Sequence, residues 1–427
     1  MMNFYALLLI ASCFSCRHSV SLETEKMLQS LLDNKEYFKL RDRLALDADK
    51  ISPEKSLYLN AYVDNAFNRN ELSAQRIDSL LKTYAGNMSD STKARLLQLA
   101  GDNYFKTFQY AAAARADSDL IAHYRQVLDS SAYEDIKTTS LIRHALASVP
   151  AEQVIISANT SIPWKKDKLG LIEIPLRQGD STHQVIFDTR ANLSSITETY
   201  AKKLGLKMLD VSYEESSSIT GARFKSSLGI ADSLWLGDIL LRHVVFQVMP
   251  DEVLFIPAPL NYALNIILGY PPIAQLKEIH ILREGTMTIP AHPTPGNLNN
   301  LALDELDPIV SCKVGDDTLC FQFDTGASSS DLYDTYFHKY KADILRKGKP
   351  TTVQLGGAGG VVKREVYVIK DFPLTIGSHS AVLPQVTVQA DPIPNVMEKF
   401  YGNLGQDLIG QFNEMILNFD SMYMDFK

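Results

Sequence analysis

Tryptophan is almost missing from this chain, cysteine is scarce, and positive charge does not exceed negative. Two Trp, 4 Cys, and 42 Lys and Arg against 50 Asp and Glu make up the count. Each shortage excludes something. A net charge of −8 provides no basic surface for a nucleic-acid backbone, so no nucleic-acid partner is expected. The cysteines and the 9 His fall at no metal-ligand spacing, so neither a metal nor a cofactor is expected. The longest apolar stretch, from Phe4 to about Phe14, is too short to span a bilayer. What remains is ordinary globular composition, 45% hydrophobic and 22% charged, in 427 residues, enough for two or three domains.

The chain opens "MMNFYALLLIASCFSCRHS", and its short apolar run suits a secretory core. Ile10-Ala11-Ser12-Cys13 resembles a bacterial lipobox, and Cys16 after Phe14-Ser15 is a second candidate, although no Lys or Arg precedes the run. Residues 1–20 are therefore expected to be a signal segment, with lipidation at Cys13 or Cys16. The expected location is the bacterial cell envelope, after export and lipid-anchored to a membrane. The two remaining thiols, Cys312 and Cys320, flank "KVGDDTL", which reads as a hairpin with Gly315-Asp316-Asp317 at its tip. A three-residue tip sets the cysteines opposite each other. Two outcomes stay open: a disulfide, or two small buried hydrophobes.

Residues 21–150 hold few Gly or Pro and read as helices. "DNAFNRNELSAQ" (64–75) lines up with "DNYFKTFQYAAA" (102–113) at an offset of 38, and "DSLLKTY" (78–84) echoes "DSDLIAHY" (117–124). Such a period suggests stacked helical hairpins, and "LLQLAGDNYFKTFQYAAAA" (96–114) weakly resembles a tetratricopeptide repeat. Tyr104, Phe105, Phe108 and Tyr110 read as packing residues between helices. After Pro150 the texture becomes β-like, with β-branched runs broken by turn clusters, and "PAHPTPGNLNN" (290–300) reads as a linker.

The β-like part repeats. "VIFDTRANLSS" (185–195) and "CFQFDTGASSSDLY" (320–333) each carry an apolar run into Asp-Thr, which sets Asp188 and Asp324 at an offset of 136. At that offset Gly221-Ala222 falls on Gly357-Ala358, "IILGYPPIAQL" (266–276) on "GNLGQDLIGQF" (402–412), and "EIHILREGTMTI" (278–289) on "EMILNFDSMYMD" (414–425). The step from Asp to Gly is the same in both halves, Asp188 to Gly269 and Asp324 to Gly405. Between them the register slips by four, since "LWLGDILLRHVVFQV" (234–248) best matches "LTIGSHSAVLPQVTV" (374–388).

Each half resembles a retropepsin-like aspartic protease domain, and two in one chain are similar to the bilobal pepsin-like enzymes. The resemblance covers about 165–427. It rests on Asp324-Thr325-Gly326, the flap candidate "LGGAGG" (355–360) with Gly356, Gly357 and Gly359, and Asn403-Leu404-Gly405. It implies a multidomain chain: an all-α helical-hairpin array followed by two all-β acid-protease-like lobes, duplicated retropepsin-like barrels. The implied lobes are 165–290 and 304–427, joined by a linker at 291–303. It further implies an aspartic endopeptidase acting on a peptide or protein substrate, with Asp324 and Asp188 catalytic. Thr325, Gly326, Thr189, Gly405 and Gly269 would support the active-site loops, and the Gly-rich flap with Gly221 would cover substrate. Two carboxylates a few Å apart share one proton, because both cannot ionise easily.

The first half departs from the pattern. Arg190 stands where the motif has Gly, and "SITGARFKSS" (218–227) holds only one flap glycine. Arg190 beside Asp188 is expected to pair with it and keep it ionised. Three arrangements follow: an in-chain dyad, a homodimer in which the C-terminal lobe pairs with its copy, or an inactive protein that binds extended peptides between its lobes.

Overall fold

The computed structural model describes residues 20–216, 220–392 and 399–427. Cys13 and Cys16 lie outside the described residues. A helical region, 22–146, precedes a larger β-rich region. Among the described residues no helix is long and apolar enough to cross a membrane, and no group of three or more His, Cys, Asp and Glu is placed to hold a metal ion.

The helical region comprises α1 (Leu22–Asp33), α2 (Tyr37–Leu46), α3 (Pro53–Ala66), α4 (Asn70–Thr83), α5 (Asp90–Lys106), α6 (Tyr110–Tyr124) and α7 (Ser130–Leu146). Ser21, Ser52, Ser89 and Asp129 cap α1, α3, α5 and α7, each side chain accepting a first-turn N–H. The pairs α1/α2, α3/α4 and α5/α6 turn through Lys35, Asn68 and Phe108, all in left-handed backbone at φ 55, 58 and 58°. The step from Asn68 to Phe108 equals the step from Tyr84 to Tyr124, which follow and end α4 and α6 respectively. The turns and second helices of the pairs therefore repeat at an offset of 40, while the caps Ser52 and Ser89 stand 37 apart because α5 is longer than α3; an offset of 38 matches Phe67 to Phe105 and misses the turns. Nor are the helices a separate array. Leu28, Phe38, Leu59 and Phe67 belong to one continuous buried core with Leu301, Leu303 and the strands beyond. Tyr110, with Phe105 and Phe108 beside it, packs on Tyr213, Leu228 and Val245 of the first sheet rather than only between helices.

The β-rich region begins before residue 165. Gln153–Ile155 pairs with Ile239–Met249, and Thr160–Pro163 pairs with Thr286–Ile289. Two large sheets follow with one strand order among the described residues. The first runs Ile172–Gln178, Ser181–Phe187, Ile266–Leu268, Ser194–Thr197, Ile239–Met249, Arg223–Leu236, with Arg177 opposite Trp235 bringing the last strand back to the first. The second runs Asp307–Val314, Asp317–Phe323, Gly402–Leu404, Asp331–Leu332, His379–Gln389, Gly360–Ile376, with Lys313 opposite Thr375. Leu301–Asp304 is already a strand of the second sheet, so the segment between the sheets ends earlier than residue 303.

Pairings follow the offset where they are closest to the aspartates. Ile267 pairs with Ile186 and Asn403 with Gln322, both in parallel, and Glu173 pairs with Ile186 as Ile309 does with Gln322. The strands Ile239–Met249 and His379–Gln389 correspond at 140, the slip of four. The slip enters earlier than the sequence suggests, because the helix Asp334–Lys347 is longer than Glu198–Lys203. Gly221 thus corresponds to the region of Gly360 rather than to Gly357. Between the sheets, Glu278–Leu282 pairs antiparallel with Glu414–Asn418, and His280 faces Ile416, its own counterpart at the offset of the aspartates.

One reading of the thiols is overturned. Val314 pairs with Asp317, so the turn has two residues, Gly315 and Asp316. Cys312 then faces Leu319 and Cys320 faces Ser311, which sets the cysteines on opposite faces of the hairpin. Both are free and buried.

Candidate active site

Both aspartates sit where a central strand ends against a parallel neighbour. Asp188 N–H donates to Leu268 O at 3.0 Å, and Asp324 N–H to Leu404 O at 2.9 Å. The glycines after those acceptors have no room for a side chain. A Cβ on Gly269 would lie 2.5 Å from Ala191 O, and one on Gly405 2.7 Å from Ala327 O. Ser194 and Ser330 each accept the N–H of the neighbouring glycine at 3.0 Å, tying loop to glycine in the same way twice.

The two loops meet through their threonines. Thr189 N–H donates to Thr325 Oγ1 at 3.0 Å, and Thr325 N–H to Thr189 Oγ1 at 3.1 Å. Each hydroxyl donates onward, Thr189 to Phe323 O at 3.1 Å and Thr325 to Phe187 O at 2.7 Å. Both threonines are fully buried. Two reciprocal Thr–Thr bonds and two matching Thr-to-Phe carbonyl bonds thus hold Asp188 and Asp324 side by side. Asp188 also lies against the other loop: a Cβ on Gly326 would come 2.3 Å from its Oδ2. Gly326 is glycine because the Asp188 carboxyl occupies that space.

The carboxyls differ in their partners. Asp188 Oδ1 accepts the N–H of Arg190 at 2.8 Å and of Ala191 at 3.0 Å. Asp324 Oδ1 accepts Gly326 N–H at 2.7 Å, and its Oδ2 accepts Asn403 Nδ2 at 3.3 Å. Burial first, then the negative charge of Asp324, pushes the Asp188 carboxyl up to about 7. Below that value Asp188 carries a proton, as a carboxyl pair that shares one proton requires.

Arg190 does not keep Asp188 ionised: its charge lowers that carboxyl's proton affinity, but burial and Asp324 outweigh it. Its guanidinium reaches across to the second sheet, with Nη2 3.3 Å from Asp307 Oδ2, Nη1 3.5 Å from Asn403 Oδ1, and Nη1 3.9 Å from Asp324 Oδ2. Asp307 also accepts Gln322 Nε2 at 3.2 Å, and Gln322 accepts the Tyr333 hydroxyl at 2.8 Å. Asp307, Gln322 and Asn403 were not singled out from the sequence as partners of a cation. Their signal was present in the repeat: at the same offset the first half carries Leu171, Ile186 and Ile267. Polar residues facing apolar counterparts mark where the second half departs to receive a cation.

The flap glycines lie at hairpin ends. Gly357 pairs with Gly360, which puts Ala358 and Gly359 at the tip, Gly359 at φ 81°. Gly356 lies within that hairpin and makes no close approach. Part of the first hairpin end, 217–219, lies outside the described residues; Gly221 beyond it has φ 70°. The two tips touch. Thr220 Oγ1 donates to Ala358 O at 2.7 Å, Gly359 N–H donates to Val253 O at 2.8 Å, and a Cβ on Gly359 would meet Ala222 at 2.4 Å.

Among curated proteins none matches this chain. Residues 174–271, which carry Asp188, Thr189, Arg190 and Gly269, match the family model described as aspartyl protease, so this stretch is similar to an aspartyl protease domain.

Proposed function

We propose that the protein is an aspartic endopeptidase in which Asp188 and Asp324 form one dyad, at the junction of two copies of an acid-protease lobe. The reciprocal Thr189–Thr325 bonding carries this reading. Equivalent loops bonded about a local two-fold, with His280 facing its own counterpart Ile416, are what an in-chain pair of lobes requires. One carboxyl with a raised proton affinity beside a second carboxyl supplies the chemistry. The ionised member takes a proton from a water between them, and the oxygen attacks the peptide carbonyl carbon. The protonated member donates to the carbonyl oxygen. The flap tips, which touch each other, exclude bulk water once substrate is seated. The in-chain dyad makes pairing with a second copy unnecessary. The segment 1–20 keeps its reading as an export signal with lipid attachment at Cys13 or Cys16, and the helix pairs keep theirs as tetratricopeptide-like hairpins.

The test is cleavage of denatured protein substrates across pH 3–7 by wild type, Asp188→Asn and Asp324→Asn, each at two protein concentrations. Loss in both variants, independent of concentration, supports the in-chain dyad. Activity that survives Asp188→Asn and rises with concentration moves the site to a homodimer. No cleavage by wild type, with retained binding of an extended peptide, makes the protein an inactive peptide binder.

A further inference from the structure

We propose that Arg190 is a positioning residue that holds Asp324 as the carboxylate and leaves the shared proton on Asp188, so that Asp324 is the base and Asp188 the acid. The role in catalysis rests on the peptidase reading; the placement of the proton does not.

The two carboxyls sit in equivalent loops but in unequal surroundings. Asp188 receives two backbone N–H donors, both on Oδ1, while its Oδ2 rests against Gly326. Asp324 receives one backbone N–H, the Asn403 amide, and the guanidinium of Arg190 with Nη1 3.9 Å from Oδ2. Neutral donors are present on both sides; the guanidinium charge is felt by Asp188 as the smallest of its named influences, and its Nη1 comes within 3.9 Å of Asp324 Oδ2. Asp307 takes the closer end of the guanidinium, at 3.3 Å, and the cation favours the ionised form of the dyad carboxyl it also approaches, Asp324. The charged groups about Asp324 are therefore Asp188, Arg190 and, beyond the guanidinium, Asp307.

Arg190 is itself held in that orientation. Asp307 takes one end of the guanidinium and Asn403 Oδ1 the other, and the same Asn403 gives its Nδ2 to Asp324. Asp307 stands opposite Asp304 at the end of a hairpin, and Asp304 is gripped from the helical region by Lys35 Nζ at 2.5 Å and Tyr37 Oη at 2.7 Å. The first hairpin of helices thus braces the turn that presents Asp307. An arginine acquired by simple decay of the motif would not find Asp307, Gln322 and Asn403 where its own half carries Leu171, Ile186 and Ile267.

The proton balance is complete without a further reactant. Asp324 removes a proton from water as the oxygen bonds to the carbonyl carbon, and Asp188 transfers its proton to the carbonyl oxygen. The neutral tetrahedral diol then collapses. Asp324 returns its proton to the leaving amine nitrogen as the C–N bond breaks, and Asp188 recovers a proton from the diol hydroxyl. Both carboxyls end as they began.

The experiment is a 13C NMR titration of carboxyl-labelled aspartates in wild type, Arg190→Gln, Arg190→Lys and Asp307→Asn, with Asp324→Asn and Asp188→Asn assigning the signals. The pH profile of kcat/KM on a peptide is recorded beside it. Asp324 is expected to titrate at least tenfold lower in proton affinity in wild type than in Arg190→Gln, about one pH unit. Arg190→Lys retains most of the difference, and Asp307→Asn reduces it by releasing the guanidinium. The acid limb of the pH profile moves upward with the same variants. An Asp324 midpoint unchanged between wild type and both Arg190→Gln and Asp307→Asn overturns the proposal. Asp307→Asn keeps the test open should Arg190→Gln fail to fold. A protein that cleaves nothing but keeps the NMR difference loses the peptidase reading and retains the clamp. One that cleaves with an unshifted limb and midpoint does the reverse.

Discussion

The two large sheets have one frame and two fillings. Strand order, the Asp–Thr loops, the glycines beneath them and the serines that bond those glycines recur at the offset of 136. Around that frame the first sheet is apolar at Leu171, Ile186 and Ile267, and the second is polar at Asp307, Gln322 and Asn403. The loops differ in the complementary sense, Arg190 in the first and Gly326 in the second. The difference teaches that a departure from a motif must be judged with its partners in space. Arg190 looks like a lesion beside Asp188 and like a built contact beside Asp307.

The comparison breaks most sharply at the aspartates. On the peptidase reading, Asp324→Asn and Asp188→Asn are each expected to lower kcat/KM on a peptide substrate by about 10³-fold or more, because the first removes the proton acceptor and the second the proton donor. Activity that survives either substitution would mean that the two loops do not act as one site.

The threonines test whether the frame is as symmetric as its geometry. Thr189→Val and Thr325→Val each remove a fully buried hydroxyl that donates once and accepts once. Each is expected to cost about 1–3 kcal/mol, since a neighbour's N–H is left without its acceptor. Urea denaturation of both variants measures it, and a loss confined to one of them would show that the loops are not equivalent supports.

Gly326→Ala sharpens the contrast between the loops. The added Cβ falls 2.3 Å from Asp188 Oδ2, so that carboxyl has to move. A fall in kcat of about tenfold or more is expected, consistent with the sensitivity of a reacting pair to small displacements. Arg190→Ala adds no atom at the dyad and is expected to change the pH profile more than the rate at its optimum.

The smallest effect is a slope. Asp188 has its proton affinity raised, to about 7, by burial and by Asp324. A carboxyl raised on folding contributes stability that is full below its unfolded value, near 4, and is lost as pH rises through about 7. Stability measured by urea denaturation from pH 4 to pH 8 should decline from this group, and Asp188→Asn should flatten that part of the curve. The alkaline limb of any peptidase activity falls in the same window, as Asp188 loses its proton.

The sequence by itself determined the helical region, the β-rich region, the Asp188 and Asp324 pair at a constant offset, and glycines where no side chain fits. These depend on local chemistry: capping residues, alternating runs, and backbone approaches that only glycine permits. The slip of four was legible too, but not its place, because a helix extended from Glu198–Lys203 to Asp334–Lys347 absorbs residues without a sequence signature. The cysteine hairpin was misjudged by one residue, enough to set Cys312 and Cys320 on opposite faces, since side chains alternate along a strand. Only the tertiary structure decided what Arg190 does. A guanidinium at the end of a long side chain chooses among carboxylates by where the fold brings them. Asp188 is two positions away along the chain, whereas Asp307 and Asp324 are reached only when the second sheet closes against the first.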